Sequence, residues 1–95
     1  MKLLKITESD KPDKKMMAVF ETDSGRTKTI HFGARGMDDY TITKNKEQME
    51  RYLNRHRSAE NWSKPDTAGA LSRWVLWSAT TRAQGIRNYK KEFNL

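Results

Sequence analysis

The 95-residue sequence predicts an α+β fold, in which an N-terminal antiparallel β-meander of three to four short strands precedes three short helices. In the first third of the chain, apolar residues alternate with polar ones, and turn residues separate the alternating runs. In the remaining two thirds, apolar residues recur at helical spacing behind capping residues. No linker or repeat divides the sequence, so we expect a single domain over residues 1–95.

The predicted strands are residues 3–7, 16–21, 27–32 and 40–43. A polar stretch containing Pro12 separates the first two strands and predicts a loop. Asp23-Ser24-Gly25-Arg26 predicts the turn of a hairpin, because glycine accepts positive φ and Asp or Ser side chains bond the turn backbone. In the third strand, Ile30 and Phe32 lie on the face opposite to His31. We therefore expect His31 on the open, exposed side of the meander.

The predicted helices run from the capping residue Asn45 to near Arg57, over Ala68–Trp77, and from the capping residue Thr81 through Phe93. The apolar stripe of the first helix comprises Met49, Tyr52, Leu53 and His56. We interpret His56, on that stripe, as a structural, hydrogen-bonded histidine. Because aliphatic residues are scarce, Trp62 and Trp74 are expected in the core. Trp77 lies at the edge of its apolar stripe, so the sequence leaves open whether its side chain lies in the core or at the surface.

The composition excludes several classes of function. The 19 Lys and Arg residues against 12 Asp and Glu give a net charge of +7, which favours polyanionic partners, nucleic acid first. The absence of cysteine excludes a disulfide scaffold, a thiol nucleophile and a cysteine-containing zinc site. No apolar run approaches the roughly 18 residues of a membrane span, and the first residues are too charged for a signal peptide. We expect no cofactor, no membrane contact and no secretion.

Basic residues concentrate in three segments, residues 26–35, 44–57 and 82–91. The first segment ends in Gly33-Ala34-Arg35-Gly36, whose glycines would let backbone N–H groups approach a phosphate; a tight strand connection explains them equally well. The second segment could lie along a phosphate backbone or form a solvated, salt-bridged face, since Glu47 and Arg51 are four residues apart. The predicted nucleic-acid-binding residues are Arg35, Lys46, Arg51, Arg55, Arg57, Arg87 and Lys91.

A catalytic interpretation would depend on the two histidines, His31 and His56. Together with Asp38, Asp39 or Glu60 they suggest a metal-dependent nuclease. Such a site needs further ligands at fixed spacing, and no Ser or Thr stands in the context of an activated nucleophile. The sequence therefore predicts a protein that is not an enzyme.

Five segments carry a resemblance: Lys28–Gly33, Asp39–Thr41, Arg51–Arg57, Glu60–Trp62 and Thr67–Trp77. Together they resemble a family of small uncharacterised proteins encoded by large DNA viruses of algae and amoebae. The similarity runs over roughly residues 15–95 and is most specific in the last segment. It implies a viral origin and a location in the virion, or in the cytoplasm or nucleus of the infected cell. It implies no activity and no site residues.

A fainter resemblance links the segment Phe32-Gly33-Ala34-Arg35-Gly36 to the WGR domain of poly(ADP-ribose) polymerases. In that domain a meander and a Trp-Gly-Arg loop precede a helix. Here Phe32 stands in place of the tryptophan, and one residue is inserted before Arg35. The similarity serves as an analogy for how such a layout could hold nucleic acid.

Two functions fit these observations. The first is a non-catalytic nucleic-acid-binding protein with little sequence preference, which contacts phosphates, binds DNA rather than RNA, and accompanies a viral genome. The second is a structural component of the virus particle, such as a minor capsid or cementing protein, whose basic surface meets acidic faces of other virion proteins. This alternative predicts an exposed apolar patch around Trp77.

Overall fold

The computed structural model describes residues 1–95 and confirms an α+β fold with an N-terminal meander. The three strands form one antiparallel sheet in the order β1-β2-β3: β1 (Lys2–Glu8), β2 (Lys14–Glu21) and β3 (Thr27–Ala34). The helices that follow are α1 (Tyr40–Thr43), α2 (Lys46–Arg57), α3 (Ala68–Leu71) and α4 (Arg82–Phe93). A π-helical turn, Ser72–Leu76, continues directly from α3. None of the helices is long and apolar enough to span a membrane.

The core lies on one face of the sheet, as the alternation of apolar residues predicts. On the central strand β2, Met16, Ala18 and Phe20 are buried, and Phe32 of β3 pairs with Met16. The C-terminal segments cover this face with Leu71, Val75, Leu76, Trp77 and Tyr89. Burying these side chains provides most of the hydrophobic stabilisation, and the residues that do so come from both ends of the chain.

A register shift in β1 adapts the edge strand to this core. Leu3 pairs with Phe20 and Ile6 pairs with Ala18, so the pairing slips by one residue between Leu3 and Lys5. Without the slip, two residues three positions apart would point to opposite faces of a strand. The bulge instead lets both Leu3 and Ile6 pack against the core.

The predicted fourth strand is wrong, because Tyr40–Thr43 forms the short helix α1. The β-branched residues of this segment favour a strand, but the preceding residue overrides that preference. The Asp39 side chain accepts hydrogen bonds from the Thr41 N–H at 2.8 Å and from the Thr41 hydroxyl at 2.5 Å. Lys44 then adopts a left-handed conformation, with φ of 53°, that ends the helix.

The predicted caps of the two long helices are confirmed. Asn45 Oδ1 accepts a hydrogen bond from the Gln48 N–H at 3.0 Å at the start of α2. Thr81 Oγ1 accepts one from the Gln84 N–H at 3.2 Å at the start of α4. Each side chain satisfies one of the backbone donors that a helix leaves free at its N-terminus.

The predicted helix over Ala68–Trp77 divides into α3 and the π-helical turn. A π-helical turn is wider than an α-helical one and changes which carbonyls remain free. The hydroxyl of Ser78 donates to the Trp74 carbonyl, and Asn88 Nδ2 of α4 donates to Ser78 Oγ at 3.0 Å. Gly85 of α4 packs so closely on the Val75 carbonyl that a Cβ atom there would overlap it. Helix α4 therefore holds the π-helical turn in place.

A buried ion pair ties the connection between β3 and α1 to the sheet. Lys15 Nζ lies 2.6 Å from Asp39 Oδ2, and the side chains are 6% and 1% exposed. The same ammonium donates to the Met37 carbonyl at 2.5 Å. Because the Thr41 donors occupy the other Asp39 oxygen, every charged atom of the pair has a close partner.

We expect Lys15→Met to lower the free energy of unfolding by about 3 kcal/mol, because it leaves the Asp39 carboxylate buried without its cation. Urea unfolding followed by circular dichroism measures this loss. Lys14→Met is the matched control, since the Lys14 ammonium forms no ion pair. Equal stability losses for the two variants would contradict the structural role of the pair.

Gly85→Ala tests the contact between α4 and the π-helical turn. Alanine ordinarily stabilises a helix interior by about 1 kcal/mol relative to glycine. Here the added methyl group would overlap the Val75 carbonyl, so we expect a destabilisation of about 2 kcal/mol or more in the same unfolding assay. Gln84→Ala, at an exposed position one residue earlier, should change stability by less than about 0.5 kcal/mol. A stabilised Gly85→Ala protein would show that the close approach is absent.

Candidate nucleic-acid interface

An open groove of about 600 Å³ lies between helix α2 and the connection from β3 to α1. Its volume is in the range of pockets that hold small ligands. The connection supplies one wall through Gly36, Met37 and Asp38, and α2 supplies the other through Gln48, Arg51 and Arg55. Tyr52, Leu76 and Trp77 also line the groove.

Arg51 and Arg55 lie one helical turn apart on α2 and share a face with Gln48. Both side chains are exposed, and neither forms an ion pair. In particular, the pair between Glu47 and Arg51 that helical spacing allows does not form. The salt bridge proposed for this face of α2 is therefore absent; the face is solvated, and its two guanidinium groups are available to an anion.

Three stacked rings make the aromatic side of the groove rigid. The Tyr52 ring lies 4.1 Å from Trp77 at 5° and 4.2 Å from His56 at 26°. Burial, together with the charge of Glu60, raises the pKa of Tyr52 to about 12, so its phenol stays neutral at physiological pH. His56 Nδ1 is 2.6 Å from Glu60 Oε1, which confirms the structural, hydrogen-bonded histidine.

Trp77, which the sequence left open, belongs to the core. Its side chain is only 7% exposed and is covered by Tyr52. The exposed apolar patch that a virion-protein function predicts around Trp77 is therefore not formed. The most exposed large apolar side chains are instead Met37 and Ile42, at 65% and 52%.

The glycine-containing segment has the geometry of a tight connection. Gly33 and Gly36 adopt φ of 77° and 93°, which other residues avoid. The Arg35 N–H donates to the Asp13 carbonyl at 3.0 Å, and the Met37 N–H donates to the Ala34 carbonyl at 3.2 Å. The protein itself already uses these two backbone donors. The structure therefore favours a tight strand connection over a loop whose backbone N–H groups bind a phosphate.

Arg35 lies beside the groove, in a shallower recess on the other side of the connection. One of its guanidinium nitrogens donates to the Lys14 carbonyl at 2.8 Å, and another is 3.8 Å from Glu8 Oε1. The side chain remains 46% exposed. Arg82, at the start of α4, lines the same recess. Arg82 belongs to a basic segment that the sequence singled out, but it was not among the predicted binding residues. Its position next to Arg35 is visible only in the tertiary structure.

The remaining predicted binding residues lie elsewhere. Lys46 and Arg57 share a face of α2 with Glu50, which is not the face that lines the groove. Arg87 of α4 donates two hydrogen bonds to Gln84 Oε1, at 2.8 and 3.2 Å. The structure thus assembles Arg51 and Arg55 in the groove with Arg35 beside it. Lys46, Arg57, Arg87 and Lys91 do not line this groove.

His31 occupies a different environment from the one predicted. It faces away from Ile30 and Phe32 as expected, but its side chain is only 15% exposed. The loop between β1 and β2 folds over it, with Ser9 Oγ 2.7 Å from His31 Nδ1 and Asp10 Oδ1 4.0 Å from Nε2. The prediction of an exposed histidine was wrong because alternation along a strand does not reveal what a neighbouring loop covers. No group of three or more His, Asp or Glu side chains is placed to hold a metal ion.

A known sequence family matches most of the sheet, the connection from β3 to α1 and nearly all of α2. The family of unknown function DUF5754 matches residues 4–56, more than half of the chain. The chain belongs to the DUF5754 family. Arg35, Lys46, Arg51 and Arg55 lie inside the DUF5754 region, whereas Arg57 and α4 lie outside it. No curated protein and no solved structure matches the sequence significantly.

A double-mutant cycle tests the observed environment of His31. We expect Ser9→Ala and His31→Ala each to lower the free energy of unfolding by about 1 kcal/mol or more, since each removes the same partly buried hydrogen bond and Ser9→Ala also removes the acceptor of the Lys11 N–H. The loss in the double variant should be about 1 kcal/mol smaller than the sum of the two single losses, because the shared hydrogen bond is counted in both. Additive losses in urea unfolding would mean that the two side chains do not interact.

Proposed function

We propose that this protein is a non-catalytic nucleic-acid-binding protein that contacts phosphates, with little preference for sequence. The observation that carries the proposal is the pair Arg51 and Arg55, which line an open groove without an acidic partner. Guanidinium groups bind phosphate oxygens through paired donors. Two such groups one helical turn apart can follow consecutive phosphates of one strand.

The charge distribution supports phosphate contacts beyond the groove. Lys15, Asp38 and Asp39 also line the groove, and Asp39 compensates the charge of Lys15, so the two arginines and Asp38 leave the lining with one net positive charge. Arg35 and Arg82 add two cations at the adjacent recess, which shares Met37 and Gly36 with the groove. With a net charge of +7 on the chain, this arrangement favours a polyanion over a single small anion.

The preference for DNA in this proposal is based on the sequence resemblance. Similarity to proteins encoded by large DNA viruses supports DNA over RNA, and supports a protein that accompanies a viral genome. Its place would be the virion, or the cytoplasm or nucleus of the infected cell. Membership of DUF5754 is compatible with this function but carries none of its own.

A titration of the purified protein with labelled duplex DNA at two salt concentrations tests the proposal. We expect binding at about 50 mM salt that weakens steeply by about 200 mM, with similar affinities for unrelated sequences. Arg51→Ala/Arg55→Ala should weaken binding roughly tenfold or more. It should also reduce the slope of log affinity against log salt by about two, because two phosphate contacts are lost.

The matched control is Lys2→Ala/Arg26→Ala, which removes two exposed charges at the opposite end of the sheet. This variant should bind within about threefold of the wild type, since only long-range attraction is lost. Equal weakening by both double variants would contradict a role for the groove. No binding of the wild type at low salt would refute the function itself.

A further inference from the structure

A second cationic site lies outside the groove, where Arg73 packs against two tryptophans. Arg73 belongs to the π-helical turn, and its guanidinium carbon is 4.2 Å from the centre of the Trp74 ring. The same atom is 5.4 Å from the centre of the Trp62 ring. Both distances are within the range of a cation–π interaction, so the rings fix the position of the guanidinium.

The hydrogen-bond donors of Arg73 have no acceptor in the protein. No carboxylate lies within 4 Å of the guanidinium. Burial lowers the pKa of Arg73 and the charge of Arg57 lowers it further, while the charges of Glu92 and Tyr52 offset part of this shift. No side-chain nitrogen or oxygen is buried without a partner, so the unused donors of Arg73 reach solvent. A partly buried guanidinium with free donors beside a second cation is stabilised by an incoming anion.

The two tryptophans differ from the core tryptophan Trp77. Trp62 and Trp74 are both only partly buried, and Trp62 lies outside the hydrophobic core altogether. Glu60 fixes the Trp62 ring by accepting a hydrogen bond from Nε1 at 3.0 Å. Both rings are therefore rigid and partly accessible aromatic surfaces next to positive charge. Aromatic rings beside cations are the combination with which proteins bind unpaired nucleotides.

The π-helical turn is what places Arg73 and Trp74 together at the surface. Turns of this type are rare and occur often at functional sites. Ser78 donates to the Trp74 carbonyl, Asn88 of α4 donates to Ser78, and Gly85 of α4 packs against the Val75 carbonyl. These contacts hold the turn in place, so the site is rigid before binding.

We propose that Trp62, Arg73 and Trp74 form a binding site for single-stranded nucleic acid, with a phosphate on Arg73, a base against a tryptophan ring, and the positive charge of Arg57 adding to the attraction. The inference deepens the proposed function and rests on it. An unpaired strand is required because the bases of a duplex are stacked on each other and cannot reach a ring on the protein surface. Arg57, Trp62, Arg73 and Trp74 do not line the groove, so the site is separate from it.

Fluorescence anisotropy with a labelled oligothymidylate of about 12 nucleotides, and with a duplex of the same length, tests the site. We expect Arg73→Gln and Trp62→Leu each to weaken single-strand binding roughly tenfold and duplex binding less than about threefold. Intrinsic tryptophan fluorescence should fall when the wild type binds the single strand. Arg26→Gln, at an exposed position in the turn between β2 and β3, is the control and should leave both affinities within about twofold.

Circular dichroism establishes that each variant is folded. If Arg73→Gln does not fold, Arg57→Gln replaces it, because Arg57 is exposed, and a selective loss of single-strand affinity of about threefold is expected. Equal effects on the two substrates, no effect on either, or equally tight binding of polyglutamate would overturn the single-strand site. Each of these results leaves duplex binding by the wild type intact. A wild type that binds neither nucleic acid at low salt would instead refute the proposed function.

Discussion

The buried ion pair between Lys15 and Asp39 is the interaction on which the rest of the structure depends. It joins the start of the central strand to the residue that caps α1, and through α1 it determines where α2 begins. A buried ion pair contributes little net stability, since desolvation offsets the attraction of the charges. Its effect here is to select one position for the connection Gly33 to Asp39, which otherwise packs few apolar side chains. One wall of the candidate groove, the connection from β3 to α1, thus depends on an ion pair between that connection and β2.

The core also depends on contacts between the two ends of the chain. The DUF5754 region contains the sheet except for the first two residues of β1, but Leu71, Val75, Leu76 and Tyr89, which cover the apolar face of the sheet, lie beyond residue 56. Only 35% of the residues are hydrophobic, so the chain has few other apolar side chains that could cover this face of the sheet. The close contact between Gly85 and the π-helical turn then determines how the C-terminal helices sit on the sheet. Sheet and helices consequently form one cooperative unit.

The cations of α2 do not all lie at one site. Arg51 and Arg55 line the groove, whereas Arg57 does not line it and is close enough to Arg73 for its charge to lower the pKa of Arg73. None of these arginines forms an ion pair, although 12 acidic residues are present in the chain and Asp38 and Asp39 line the groove. Several acids are paired within the protein: Asp39 with Lys15, Glu60 with His56 and Trp62, and Asp66 with Lys28, which lowers the pKa of Asp66. The distribution of acids, more than the number of bases, determines where the protein can bind an anion.

The sequence by itself determined the meander, the helix starts at Asn45 and Thr81, and the basic character of α2, because strand alternation and capping act between residues close along the chain. Contacts between distant residues decided the remainder. Tyr40–Thr43 became a helix because Asp39, itself held by Lys15, caps it. His31 was covered by a loop, and Trp62 and Trp74 stayed at the surface while Trp77 entered the core. Which arginines share a surface depends on how helices pack on the sheet, and local sequence spacing contains no information about that packing.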